Sequence, residues 1–234
     1  MKTRIFDREE AVLRAADSVC EVLLSKPEAV LALGANDECL LLYRELTQRV
    51  VDGKLDLSRA HFFAITEFEG LAPYDERSCR ARLRAALLDL ADPEGKRSVF
   101  LDAETVDTID SLIASCGGLD LAVLGIGERG RIGFNEPATP FDSISHRQKL
   151  TKATKRELAP LFGGEEQTPD YGYTLGIHTI TEAGRILLLA LGEERADPVF
   201  RMLYARTDSF VPAAFLQIPL QVELVLDREA AAKL

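Results

Sequence analysis

The chain has 234 residues, 47% of them hydrophobic and 28% charged, and its 38 acidic and 28 basic side chains give a formal net charge of -10. This is enough apolar material for one large core, and an acidic chain without a long basic run is poorly suited to nucleic acid, which is bound by Lys and Arg. Residues 1–10 lack an apolar signal core, and no stretch has the roughly 18 uninterrupted apolar residues of a membrane span, so we expect a cytoplasmic protein without a membrane partner.

The first elements alternate between helix and strand. Apolar residues recur at helical spacing over residues 8–25, and Pro27 closes that helix. Residues 29–33 form a short apolar run that ends at Gly34, and a second helix continues from near residue 38 to residue 51. A run without polar alternation is typical of a strand covered on both faces, as in a parallel sheet flanked by helices.

The same alternation continues to the end of the chain and predicts an α/β fold. We expect a Rossmann-like three-layer sandwich, with a mostly parallel sheet flanked by helices, as a single domain over residues 1–234. Ligands of such folds bind outside the carboxyl ends of the strands. The further predicted strands are 61–66, 119–124, 186–191, 213–218 and 221–226; the helices are 76–90, 103–114 and 194–204, with a loop over 163–171. The segments predicted to meet a ligand are 34–39, 66–73, 125–139 and 192–195.

The cysteines and histidines show no spacing typical of a metal site. The four cysteines lack Cys-x-x-Cys spacing, and a core of this size needs no disulfide. The three histidines are far apart in the sequence. We therefore expect reduced thiols, no metal ion and no cofactor. The residues concerned are Cys20, Cys39, Cys79, Cys116, His61, His146 and His178.

Residues 119–137 contain the most selective motif of the chain. An apolar strand is followed by Gly125-Ile-Gly127-Glu-Arg-Gly-Arg and then by Phe-Asn-Glu-Pro at 134–137. This segment resembles the signature of the glucosamine-6-phosphate and galactosamine-6-phosphate deaminase family, and shorter similarities extend it from about residue 25 to about residue 227. The related 6-phosphogluconolactonases share the fold and the glycine-rich start but continue differently, so the ending favours the deaminase branch.

The resemblance implies catalytic positions, most of which are altered here. The family's base, a carboxylate that moves a proton between sugar carbons C1 and C2, corresponds to Thr66, whose hydroxyl cannot hold a proton near neutral pH. The adjacent Glu67 should point to the opposite face of a strand, although a turn could redirect it. The family's Asp, His and Glu relay corresponds to Arg129, Arg131 and Glu136. Arginine has no acceptor lone pair, so only Glu136 could act, and its alternative role is a cap or an ion-pair partner.

The implied phosphate site is altered as well. The family's glycine-rich turn corresponds to residues 35–39, which contain no glycine and place Asp37 and Glu38 where they would repel a dianion. The alternative is that Asn36 or Asp37 caps the following helix and Glu38 is a first-turn acid. A residual anion site could still include Arg195 and Thr139, which match phosphate-contacting positions of the family, and His146, which occupies a position where many members have Arg.

These replacements favour a deaminase-like protein of carbohydrate metabolism that has lost the family's deamination and binds a sugar phosphate or another anionic ligand, or assembles with a partner. The alternative is an active sugar-phosphate isomerase of altered specificity that uses Glu136, with weak support from Glu67, and an anion site at Arg195. A third hypothesis is that the protein is retained for a purely structural role. The resemblance also implies a homo-oligomer.

Arg129 and Arg131 need partners if the old site is buried, because unpaired buried charges are costly. We predict that at least one of them forms an ion pair within the set Asp37, Glu38, Glu67 and Glu136. The rival outcomes are an open pocket, in which the arginines await an anion as ligand-binding residues, and a displaced loop, in which both point into water.

Overall fold

The computed structural model describes residues 1–234 and contains one parallel seven-stranded sheet and one smaller antiparallel sheet. The strands are β1 (Lys2–Phe6), β2 (Val30–Leu33), β3 (His61–Ala64), β4 (Thr66–Phe68), β5 (Ser98–Val99), β6 (Leu121–Leu124), β7 (His146–Lys149), β8 (Tyr171–Thr174), β9 (Arg185–Ala190) and β10 (Val222–Asp227). The helices are α1 (Arg8–Ser25), α2 (Asp37–Val51), α3 (Cys79–Leu83), α4 (Ile109–Ser115), α5 (Lys152–Phe162), α6 (Ile177–Thr181) and α7 (Ala196–Tyr204). Helix α3 continues as a π-helical turn, Arg84–Leu88, and a last turn, Asp89–Ala91.

The large sheet has apolar cores on both faces, as its continuous apolar strands predict. In β2, Leu31 and Leu33 pack into one core together with residues of α1 and α2, whereas Val30 and Ala32 pack into the other core, with residues of α4 and α7. Alternate residues of a strand point to opposite faces, so a strand buried on both sides has no polar face. The predicted three-layer sandwich with a mostly parallel sheet is confirmed.

The strand order places a crevice between β2 and β6. The order across the sheet is β1-β10-β9-β6-β2-β3-β5, and all neighbouring pairs are parallel. From β2 the chain proceeds to β3 on one side and later returns to β6 on the other side. The carboxyl ends of β2 and β6 therefore form a topological switch point, where α/β sheets bind their ligands.

The small sheet, in the order β4-β8-β7, lies beside this crevice and was largely unpredicted. The predicted strand 61–66 is divided, because β3 ends at Ala64 and Thr66 begins β4, which pairs antiparallel to β8. Strand β7 has the sequence His-Arg-Gln-Lys and alternates between half-buried and exposed residues, so it offers no apolar signal.

One predicted strand is wrong, and several elements were not predicted. Residues 213–218 fall in a 3-10 helix, Pro212–Gln217, whose alanines are fully buried; a short apolar run cannot by itself distinguish a buried helix from a strand. Strands β1 and β5 and helices α5 and α6 were also missed. No helix is long and apolar enough to cross a membrane.

Candidate functional site

A small cavity lies at the switch point between β2 and β6. It has a volume of about 80 Å³, below the roughly 300–1,000 Å³ of typical ligand pockets. All four segments predicted to meet a ligand contribute to its wall. The polar and charged side chains that line it are Asn36, Thr66, Arg82, Arg131, Glu157 and Arg195.

The carboxylate of Glu157, on α5, is held by two arginines and one backbone amide. Arg131 Nη2 lies 3.0 Å from Oε2 and Arg195 Nη1 lies 2.8 Å from Oε1. The Glu128 N–H donates to Oε2 at 3.0 Å. Both carboxylate oxygens are therefore engaged, each by a different guanidinium group, with charge-assisted hydrogen bonds of normal length.

The same network continues to the start of α2. Arg195 Nε donates to Glu38 Oε1 at 2.7 Å, and the Asn36 amide donates to the other oxygen of Glu38. Glu38 is buried, so its carboxylate needs these partners. Arg195 thus bridges Glu38 and Glu157 and is not available to an incoming anion in this arrangement.

The network of Arg131, Glu157, Arg195 and Glu38 contains two positive and two negative side chains. Burial opposes ionisation of Glu157, but the charges of Arg131 and Arg195 outweigh it, and the pKa of Glu157 lies below its usual value. Burial likewise opposes the charge of Arg195, yet Glu38 and Glu157 raise the pKa of this guanidinium further. Glu157 and Arg195 are ionised at neutral pH, and the charges of Arg131 and Arg195 are matched by those of Glu38 and Glu157.

The carboxylates predicted to pair with Arg129 or Arg131 are the wrong ones. Arg131 is buried and does form an ion pair, but its partner is Glu157, which was not in that set. Arg129 is exposed, adopts φ 62°, and forms no ion pair. The physical expectation that a buried arginine finds a carboxylate is met, but the carboxylate comes from α5, an element that the sequence did not predict.

The glycines of the loop make room for this network. A Cβ atom at Gly125 would lie 1.9 Å from the Asn36 amide nitrogen, and a Cβ atom at Gly127 would lie 2.6 Å from Arg131 Nη2. In this chain the close approach that glycine permits is therefore used by the protein's own side chains.

Replacing Gly127 with alanine is expected to move the Arg131 guanidinium away from Glu157. Loss of this charge-assisted contact should lower the free energy of unfolding by about 1.5–3 kcal/mol, measured by urea denaturation. Gly184→Ala is the matched control, because a Cβ atom there meets nothing closer than 3.4 Å. If Gly127→Ala lowers the free energy of unfolding by the same amount in an Arg131→Ala background as in the parent, its effect does not depend on the position of Arg131.

Thr66 faces the cavity in the position that the resemblance gives to the base. Its hydroxyl lies 3.4 Å from the Sγ of Cys79, which also lines the cavity. Burial, followed by the nearby charge of Glu67, raises the pKa of Cys79 to about 12. Neither group is an effective base near neutral pH, since the thiol is held in its protonated form.

Glu67 does not line this cavity. Glu67 belongs to β4, and its buried carboxylate lies against the start of α3. Its Oε1 accepts from the N–H groups of Phe68 and Cys79, at 2.7 and 3.0 Å, and its Oε2 accepts from the Arg80 N–H at 2.8 Å. Burial raises the pKa of Glu67 despite these hydrogen bonds. Its carboxylate anchors the first turn of α3, so the turn has not redirected it towards the position of Thr66.

Glu136 is also used to anchor a helix. It is buried, and its carboxylate accepts from the backbone N–H of Thr151 at 3.0 Å and from the Thr151 hydroxyl at 3.2 Å. Thr151 is the N-cap of α5. Glu136 is absent from the cavity wall, and these contacts match the structural alternative raised for it.

The start of α2 differs from the simple capping expected of it. Asn36 occupies the N-cap position, but its side chain bonds to Glu38 and makes no capping hydrogen bond. Asp37 is exposed and pairs with Arg82. Glu38 is more than a first-turn acid, because it is buried and binds Arg195.

Thr139 and His146 are separated from Arg195. Both line a second, more open depression of about 590 Å³ that shares no residue with the cavity at the switch point. His146 Nδ1 lies 2.8 Å from the Ile144 carbonyl oxygen, and Nε2 lies 3.2 Å from Gln148 Oε1. The three residues predicted to share an anion site are thus divided between two places.

Glu157 is the principal site residue that sequence reasoning missed. It lies in the middle of α5, a helix with Pro160 in its last turn and only two buried residues, Thr154 and Phe162. The available signals were Thr151 as an N-cap and Gly163 as a left-handed C-cap residue. They indicate a helix between residues 151 and 163 but not which side chains Glu157 would contact.

Similarity to known proteins identifies the family. The chain is 33% identical to a glucosamine-6-phosphate deaminase of Hahella chejuensis, covering 100% of this chain and 92% of that protein. It is 36% identical to one of Rhodopirellula baltica, covering 97% and 93%. The chain belongs to the glucosamine-6-phosphate deaminase family. A scan against models of known protein families found no match.

Solved structures agree with membership of the glucosamine-6-phosphate deaminase family. The structure of a monomeric glucosamine-6-phosphate deaminase superposes with a TM-score of 0.94 at 30% identity, with full coverage of both chains. A 6-phosphogluconolactonase from Leishmania guyanensis superposes with a TM-score of 0.78 at 18% identity, covering 98% of this chain and 97% of that one. The second similarity shows only that this 6-phosphogluconolactonase shares the fold.

Proposed function

We propose that residues 1–234 form a single domain that does not deaminate amino-sugar phosphates and serves carbohydrate metabolism by binding an anionic sugar ligand. The observation that carries this proposal is the network Arg131–Glu157–Arg195–Glu38 at the carboxyl ends of β2 and β6. It occupies the place where the fold binds ligands, and it neutralises the cations that would hold a phosphate.

The chemistry supports the same conclusion. A deamination that begins with proton transfer needs a positioned base, and the candidates at this place are the Thr66 hydroxyl, the Cys79 thiol and the Glu157 carboxylate. Both oxygens of Glu157 are engaged by Arg131 and Arg195, whose charges lower its pKa against the effect of burial, so it is a weak proton acceptor. The loss of one such group typically lowers a rate by about 10²–10⁴. The alternative, an isomerase that uses Glu136 or Glu67, has less support, because both carboxylates are bound to helix starts and neither lines the cavity.

Purified protein is expected to release no measurable ammonia from glucosamine-6-phosphate or galactosamine-6-phosphate. The missing base and relay are the physical reason, and a coupled ammonia assay is the measurement. A deaminase of the family, assayed under the same conditions, serves as the positive control. Ammonia release that is abolished by Glu136→Gln would show that this carboxylate has retained or regained a catalytic role.

A further inference from the structure

The carboxylate of Glu157 has the surroundings of a bound ligand. Three donors from two separate loops converge on it, namely Arg131 Nη2, Arg195 Nη1 and the Glu128 N–H. The two oxygens are recognised by different guanidinium groups, an arrangement that fits a flat, two-oxygen anion. Arg131 is buried and its Nε has no hydrogen-bond partner, so the site also holds an unused donor.

We propose that Arg131, Arg195 and the Glu128 N–H form a carboxylate-binding site, which Glu157 occupies as an internal ligand and which takes a compact carboxylate when Glu157 is displaced. The inference deepens the proposed function and rests on it, because it names the chemical class of ligand that this cavity selects. The Arg131 and Arg195 guanidinium groups and the Glu128 backbone N–H are donors without an acceptor lone pair, so the site binds and does not transfer protons.

Occupation by Glu157 is consistent with the small volume of the cavity, about 80 Å³. A tethered carboxylate competes with a free one as though it were present at high local concentration. The parent protein should therefore show no response to a small monocarboxylate at moderate concentration. An external ligand must bring contacts beyond its carboxylate to displace Glu157, or Glu157 must be removed.

Removal of the Glu157 carboxylate exposes the site to a defined probe. Glu157→Ala deletes Cγ, Cδ and both oxygens, and acetate supplies the same number and kinds of heavy atoms. At about ten times its Kd, acetate should raise the Tm of Glu157→Ala by about 3–5 °C relative to sodium chloride of equal ionic strength. Propionate is larger and should be less effective. The parent protein should show no difference between acetate and chloride.

Two matched variants test the source of the effect. Glu157→Gln keeps the volume of the side chain and should not respond to acetate, because the amide blocks the space. Glu165→Ala removes the partner of an exposed arginine, Arg156, from a pair with an N···O distance of 3.8 Å, and should not respond either. A response shared by all three variants would indicate general salt stabilisation and would overturn the site.

The remaining outcomes are also decisive. If Glu157→Ala has no cooperative transition in chloride, acetate should restore one, and failure to do so would overturn the proposal. Equal stabilisation by phosphate would overturn selectivity for a carboxylate. These measurements are independent of the ammonia assay: acetate rescue together with ammonia release would refute the proposed function alone, whereas neither rescue nor ammonia release would refute the carboxylate site alone.

Discussion

Replacing Arg195 with alanine is expected to lower the free energy of unfolding by about 3–5 kcal/mol. The substitution leaves two largely buried carboxylates without their shared cation, since the side chains of Glu38 and Glu157 are 4% and 18% exposed. Removing one partner of a buried pair is costly because the other charge stays desolvated. Urea denaturation at pH 7, analysed as a two-state transition with an unchanged slope, measures the loss.

Arg201→Ala is the matched control for this substitution. Arg201 pairs with Asp197 on α7, but their side chains are 50% and 45% exposed, so its loss should cost no more than about 0.5 kcal/mol. A double-mutant cycle with Glu38→Ala should give a combined cost below the sum of the single costs, because the two residues share one contact. Equal costs for Arg195→Ala and Arg201→Ala would mean that the network adds no more stability than a surface pair.

The sequence predicts the layer architecture well because the central strands are uniformly apolar. Residues 121–124 and 186–190, within two of the predicted strands, are buried in the structure and belong to adjacent parallel strands, β6 and β9. The carboxyl ends of such strands must meet at one edge, so the location of the cavity follows from their order in the chain. The bounds of these two strands shift by one or two residues, as is usual at element ends, whereas the helix predicted over 103–114 begins only at Ile109.

The content of the site is less predictable, because it depends on pairings between distant elements. The motif at 125–137 fixes the positions of Arg131 and Glu136, but nothing local shows that Glu136 turns towards Thr151. Glu157 lies on a helix with only two buried residues, and its contact with Arg131 is formed only by the tertiary fold. Buried arginines still require carboxylates, so the sequence predicts that a partner exists without identifying it.

The substitutions make physical sense as a group. Arg131 without Glu157 would leave a buried cation unpaired, and Glu38 without Arg195 would leave a buried anion unpaired. Glu157 joins the two pairs, so a change at one member raises the cost of changing the others. The result is a network in which two arginines and two glutamates balance each other, so that replacement of any one member leaves a partner without its counter-charge.

The pH dependence of stability should differ in sign between Glu157, which is partly buried, and Glu67, which is buried. The folded-state pKa of Glu157 is lowered because the charges of Arg131 and Arg195 outweigh burial. Its contribution to stability is therefore fully present above the unfolded value of about 4.3 and is lost as the pH falls through the folded value. The folded-state pKa of Glu67 is raised by burial, so its titration favours the folded state at low pH and this contribution is lost as the pH rises.

Glu157→Gln and Glu67→Gln separate these contributions, since each amide is nearly isosteric with its carboxyl group and does not titrate. The Tm difference between the parent and Glu157→Gln should be constant from pH 7 to pH 5 and should shrink as the pH falls towards 3. The Tm of the parent relative to that of Glu67→Gln should increase as the pH falls from 7 towards 3. Scanning calorimetry of the three proteins across this range measures both trends. Parallel trends for the two variants would show that Glu157 is not stabilised as an anion by the arginine pair.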